Sequence, residues 1–245
     1  MTATQYAEIA KLYADSQDKR PLRYGITDPS LYARIGDISG LEVLDLACGD
    51  GRLSRQFKLR GAKRVLGIDA EPKMIELAQT RETQDNLGIE YQVGRVGQLG
   101  KVGDFDLVVP GFLLHYAETK EELLRMCQDI YVNLKSGGIM IGINQNPDCP
   151  VNPHKKYGST VEPCVPLVEG GLVTVRLFEE GNEKGVFHNY HWNKSTYESA
   201  LAIAGFHDIQ WIKMNASPEA IKERGKDFWQ DWLNQPSLSI IEARK

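Results

Sequence analysis

The chain has 245 residues, 42% hydrophobic, 25% charged and 9% aromatic, a balance that excludes disordered, collagen-like and membrane-spanning classes and supports a core without disulfides or structural metal. Its formal net charge of −4 offers no broad positive field to phosphate backbones or anionic lipid, so neither nucleic acid nor a membrane is expected as a partner. Cys48, Cys127, Cys149 and Cys164 form no C-x-x-C pair, which points to free thiols in a reducing compartment; with no basic-then-apolar leader, the cytoplasm is the expected address.

Short apolar runs alternate with helical stretches from residue 41 onward. Residues 41–46, 64–69, 89–93, 105–109 and 139–143 have strand length and little polar alternation, as when both faces of a parallel sheet are covered. Between them, residues 51–60 carry Leu53 and Phe57 at i, i+4, residues 72–81 open on Pro72, and residues 119–134 open on a Thr119…Glu122 capping box before Leu123, Cys127, Ile130 and Leu134. The texture then changes. Residues 145–169 are rich in Pro, Asn and Gly and read as an inserted loop, followed by a hairpin of residues 172–178 and 186–192 around Glu180-Gly181-Asn182. A second capping box, Ser195…Glu198, opens a helix that Gly205 stops, and residues 206–214 and 238–243 read as the last strands. The expected fold is α/β: a Rossmann-like, doubly wound, mostly parallel seven-stranded sheet with an N-terminal helical lid and an inserted β-hairpin. One domain over 1–245 is expected, divided into lid (1–36), cofactor core (37–144), inserted loop and hairpin (145–193) and C-terminal helix with last strands (194–245).

The chemistry is concentrated after the first strand, in Asp45-Leu46-Ala47-Cys48-Gly49-Asp50-Gly51. A glycine turn at the carboxyl edge of a parallel sheet lets the backbone approach a ligand, and the helix beyond it presents free amide donors. Asp69 ends the next strand, eighteen residues past Gly51, where a carboxylate can accept both hydroxyls of a ribose. A dinucleotide site requires a third glycine where this chain has Ser54. Asp45 gives a pyrophosphate nothing but suits the ammonium of an aminoacyl nucleoside.

These residues resemble class I S-adenosylmethionine-dependent methyltransferases: the first motif in 45–51, the acid Asp69, Phe105-Asp106-Leu107-Val108, and the turn Leu134-Lys135-Ser136-Gly137-Gly138. The resemblance covers about residues 40–143 and implies S-adenosylmethionine as cofactor, with S-adenosylhomocysteine as product. It implies a cofactor site of Asp45, Leu46, Ala47, Gly49, Asp69, Ala70, Met74, Val96 and Pro110. The family usually has Asp where this chain has Arg95; arginine cannot accept the adenine amino hydrogen bond, so Arg95 stacks on the purine or points to solvent and the backbone of Val96 reads the adenine edge.

The segment from Gln5 to Tyr13 resembles the lid helix of small-molecule methyltransferases, and residues 186–229 are similar to toxoflavin-type azapteridine N-methyltransferases and related natural-product enzymes. The implied acceptor is a small polar or aromatic heterocycle. Tyr13, Arg23 and Tyr24 are expected to close over the methionine end, Arg23 meeting its carboxylate. Phe112, His115, Asn144, His188 and Tyr190 are the candidate acceptor contacts, with His188 and His191 read as sharing one face of a strand. His115 is the candidate general base, and packing is its alternative role. Three Tyr-x-x-x-Lys matches and the Asn-Pro pairs at 146 and 152 sit in the wrong contexts to specify anything. A nicotinamide oxidoreductase and a nucleoside-binding protein without turnover remain as alternatives, and the oligomeric state stays open.

Overall fold

A computed structural model describes residues 20–245. The five early apolar runs form β1 (Glu42–Leu46), β2 (Arg64–Asp69), β3 (Glu90–Val93), β4 (Phe105–Pro110) and β5 (Leu134–Gln145), all parallel. β10 (Leu238–Arg244) runs antiparallel to β5, and β9 (His207–Ile212) pairs with β10 at the edge. The strand order is β3-β2-β1-β4-β5-β10-β9, so the chain switches direction across the sheet between β1 and β4, where the carboxyl ends leave a crevice.

Each face of the sheet carries its own core. On one side Leu44, Leu46, Val108 and Met140 pack with α4 (Lys120–Val132) and α5 (Lys194–Ala204). On the other, Val43, Leu107 and Ile141 pack with α2 (Arg52–Leu59) and with Trp229 and Trp232 of α7 (Lys226–Asn234). That two-sided cover is why the central strands read as continuous apolar runs. Trp229 and Trp232 are fully buried, and Gly25 leaves room for the Trp229 ring, with which a Cβ there would collide. Gly25 lies in a π-helical turn (Arg23–Thr27) leading into α1 (Asp28–Ile35).

Several local expectations are corrected. Residues 145–169 are not all loop: Ser159–Pro163 forms β6, which pairs with β7 (Gly171–Glu179), and β8 (Asn182–His191) completes a separate three-stranded antiparallel sheet in place of a simple hairpin. α6 (Pro218–Arg224) and α7 were not anticipated. The Ser195…Glu198 box is absent: Asn193 is the N-cap of α5, and Glu198 instead accepts the Trp211 indole N–H at 3.2 Å. At Thr119 the cap forms, its hydroxyl accepting the Glu122 N–H at 3.1 Å, while the Glu122 carboxylate reaches back to the N–H of Glu118. Residues 1–19, with Tyr6 and Tyr13 of the expected lid, lie outside the described residues.

Candidate active site

A cavity opens at the crevice, over the carboxyl ends of β1, β2 and β4. Among the residues that line it are Asp45, Ala47, Gly49, Asp69, Ala70, Met74, Arg95 and Val96, all on the sequence-derived list, together with Arg23 and Phe112. Leu46 and Pro110 are buried strand residues outside the lining; the Leu46 carbonyl accepts the Gly111 N–H at 3.2 Å and so holds the β4 exit in place.

The glycine turn is shaped by its neighbours. Gly51 has φ 76°, and a Cβ there would run into the Tyr91 ring, so both conformation and packing demand glycine. Asp69 is half-buried at the cavity wall: its Oδ2 accepts the Gly49 N–H at 2.9 Å and its Oδ1 accepts the Glu71 N–H at 2.8 Å. Burial raises its pKa, against the lowering effect of these backbone donors. A carboxylate has about four lone-pair sites, so the backbone donors leave room for a ligand's hydroxyl.

Asp45 is 1% exposed. Its Oδ2 accepts the Ser54 hydroxyl at 2.6 Å, whereas its Oδ1 is buried without a partner. Burial pushes its pKa up to about 7, with Asp69 adding to the rise. Ser54, at the position of the missing third glycine, is thus a fully buried support for Asp45. A buried carboxylate oxygen without a donor is costly, and a cationic donor relieves the cost best.

Arg95 neither stacks alone nor points free into solvent: its guanidinium donates to Glu122 Oε1 of α4 at 2.9 Å while the residue lines the cavity. α4 also holds the following loop, since Asp129 accepts the N–H groups of Gly97, Leu99 and Gly100 and Asn133 those of Val102 and Gly103. Val96 is thereby fixed, buried, at the wall. The N-terminal side is pinned by a two-point Arg52–Asp28 pair at 2.6 and 2.9 Å, joining α1 to the start of α2. Ala47 and Phe112, both in the wall, hold positive φ of 58° and 59°. Such non-glycine strain concentrates at functional sites, and nothing local in the sequence announces it.

A second cavity adjoins the first and shares Arg23, Phe112 and Tyr116 with it. It lies under the three-stranded sheet, with Val161, Val175, Leu177 and Phe187 on that side. His115 is in its wall and 3% exposed, and burial pulls its pKa down to about 4. Asn144 sits behind it, Oδ1 3.0 Å from Nδ1, and donates its own Nδ2–H to the Gln145 carbonyl at 3.1 Å. The Gln145 backbone N–H also points at Nδ1, at 3.4 Å, so this nitrogen is held between an amide oxygen and an amide donor. Asn144 therefore orients the imidazole and does not line either cavity.

Other assignments fail on geometry. His188 and Tyr190 lie outside both linings, which take Phe187 and Asn189 from the same strand. The side-chain period of two puts 187, 189 and 191 inward and 188 and 190 on the other face, so His188 and His191 do not share a face. Tyr24 is also outside; its hydroxyl accepts Arg224 Nε at 2.6 Å. Tyr116, Tyr157, Gln145, Asn189 and Ser237 are cavity residues that sequence reasoning missed, because strand pairing and the C-terminal helices bring them together across long sequence separations.

The fold is that of an α/β enzyme with its crevice at the sheet's switch point. Residues 43–138 match the family described as "Methyltransferase domain". The chain is 25% identical to a solved S-adenosylmethionine-dependent methyltransferase from Mesorhizobium loti, with a TM-score of 0.65 over 89% of this chain and 96% of that one. A ubiquinone biosynthesis O-methyltransferase of Cereibacter sphaeroides is 34% identical over 111 residues, 44% of this chain and 43% of that protein. The N-demethylindolmycin N-methyltransferase of Streptomyces griseus is 26% identical over 171 residues, 68% of this chain and 70% of the other. Residues 43–138 are a methyltransferase domain, and the chain as a whole is similar to S-adenosylmethionine-dependent methyltransferases. It matches less than half the length of the ubiquinone enzyme, and no helix among the described residues is long and apolar enough to cross a membrane.

Proposed function

We propose that the chain binds S-adenosylmethionine in the first cavity and methylates a small polar or aromatic heterocycle, at N, O or C, in the second. The observation that carries this reading is the partnerless, buried Asp45 Oδ1 in a wall that also holds Asp69. An ammonium completes the first and ribose hydroxyls the second. Met74 and Val96 supply apolar surface for a purine, and Arg23, common to both cavities, supplies a cation for a carboxylate. When bound, S-adenosylmethionine supplies a methyl group activated by its sulfonium and leaves as S-adenosylhomocysteine.

The protein's own contribution is mostly positioning: Phe112 and Tyr116, shared by the two cavities, align the reactants where they meet. His115 is neutral well below pH 7, and a neutral imidazole in the cavity wall can take a proton from an acceptor O–H or N–H on its unprotonated ring nitrogen. On this reading the chain is one cytoplasmic methyltransferase domain. Ser54 argues against the nicotinamide alternative, because its hydroxyl and Asp45 occupy the place where a pyrophosphate turn needs a bare glycine. Calorimetric titration with S-adenosylhomocysteine and NAD side by side tests the proposal. Binding of the first alone is expected, and binding of NAD alone overturns the reading.

A further inference from the structure

The second cavity holds an unusual set of open polar atoms. Gln145, the last residue of β5, is 4% exposed, yet neither its Oε1 nor its Nε2 has a partner. Asn189 Oδ1 on β8 and Ser237 Oγ before β10 are likewise buried and unpartnered. All three residues line this one cavity, although they come from three separate strand regions. Buried polar groups in native structures are nearly always satisfied, so three in one wall mark a place where a polar occupant belongs.

The atoms also say what kind. A glutamine side chain with donor and acceptor both open is complemented in full by another planar group presenting an acceptor beside a donor, in a paired two-bond arrangement. Asn189 Oδ1 asks for a further donor, and the Ser237 hydroxyl serves either role. The flanking Phe112, Tyr116 and Phe187 are aromatic, suited to the faces of a flat ring. The lining contains two arginines and no carboxylate, so an ammonium-bearing acceptor would be buried without a counter-charge.

We propose that the second cavity selects acceptors carrying a carboxamide or lactam edge on an aromatic ring, with Gln145 as the residue that reads that edge and Asn189 and Ser237 as its supports. The inference deepens the proposed function by resting on the second cavity as the acceptor site.

The test uses the full chain in two stages. Calorimetry with S-adenosylhomocysteine first reports on the first cavity. Ligand-detected NMR, which reads millimolar binding, then compares benzamide with methyl benzoate, which keeps the ring and carbonyl but has no N–H, and with benzylamine, a cation. Benzamide is expected to bind at least tenfold more tightly than either. Gln145→Met, of similar length without hydrogen-bonding atoms, is expected to abolish that preference at unchanged S-adenosylhomocysteine affinity. Ser237→Ala is expected to lower it severalfold and serves if the first variant fails to fold. Equal binding of benzamide and methyl benzoate, a preference for benzylamine, an unaltered preference in a folded variant, or no probe binding by protein that binds S-adenosylhomocysteine overturns the assignment, the last meaning that water alone satisfies these atoms. Loss of S-adenosylhomocysteine binding with the benzamide preference intact would remove the first-cavity reading and leave this one standing.

Discussion

Asp45→Asn separates binding from folding in one substitution. The asparagine carbonyl keeps the Ser54 hydroxyl bond, while its NH2 replaces the unpartnered Oδ1 and faces a ligand ammonium donor to donor. Loss of a charge-assisted hydrogen bond is worth about 1.5–3 kcal/mol, or roughly ten- to 150-fold in S-adenosylhomocysteine affinity. In the wild type, with the carboxyl pushed up to about 7, only the ionised form pairs with the ammonium. Affinity should therefore fall about tenfold per unit below pH 7, and binding at pH 6 should release close to one proton, whereas the variant shows neither effect. Stability should move the other way. A folded-state pKa raised from 3.8 to about 7 means that the native state holds the extra proton in that window, so this group lowers stability as pH rises through it. Its removal should stabilise the free protein at pH 8 by on the order of 4 kcal/mol at most. Calorimetry in buffers of different ionisation enthalpy, with melting curves at pH 5 and 8, reads all three quantities. Unchanged affinity without proton release, or a melting point that falls at pH 8, refutes the argument.

Arg95→Ala should leave S-adenosylhomocysteine affinity within about threefold, because Glu122 already engages the guanidinium and a half-exposed ion pair contributes little; a tenfold loss in titration would show that the purine depends on it. His115→Gln should lower turnover by about 10²-fold once an acceptor is in hand, and the wild-type acidic limb should lie near pH 4 instead of 6.5; a full-rate variant would show that the ring only packs. Because the folded His115 pKa lies below its unfolded value, the unfolded state takes up more protons between pH 4 and 6.5. Wild-type stability should drop over that interval as pH falls, by on the order of 3 kcal/mol, and the variant should lack this component in pH-dependent melting. Trp229→Ala should cost about 3–5 kcal/mol by opening a core cavity; a denaturation midpoint within error of wild type would mean that α7 is not part of the cooperative core.

The sequence alone determined the features that rest on local periodicity and on motifs contained in one strand and the turn after it. The runs at β1, β2 and β4 are mostly buried on both faces, which gives each a consecutive apolar stretch, Val43-Leu44, Val65-Leu66 and Leu107-Val108-Val109, without strict polar alternation, readable as a parallel sheet. The glycine turn, Asp45 and Asp69 were legible for the same reason: turn geometry and strand end are properties of a few consecutive residues. What only the tertiary structure decided depends on pairing and burial between distant segments. β6 is short and its Pro-containing sequence carries no strand signal; it exists because β7 pairs with it. The inward face of β8 turned on a parity of one residue, which its pairing with β7 sets, and so Asn189 and not His188 reaches the cavity. The neutral state of His115 and the tether of Arg95 are likewise invisible along the chain, since desolvation and ion pairing come from residues far away in sequence that the fold packs against them.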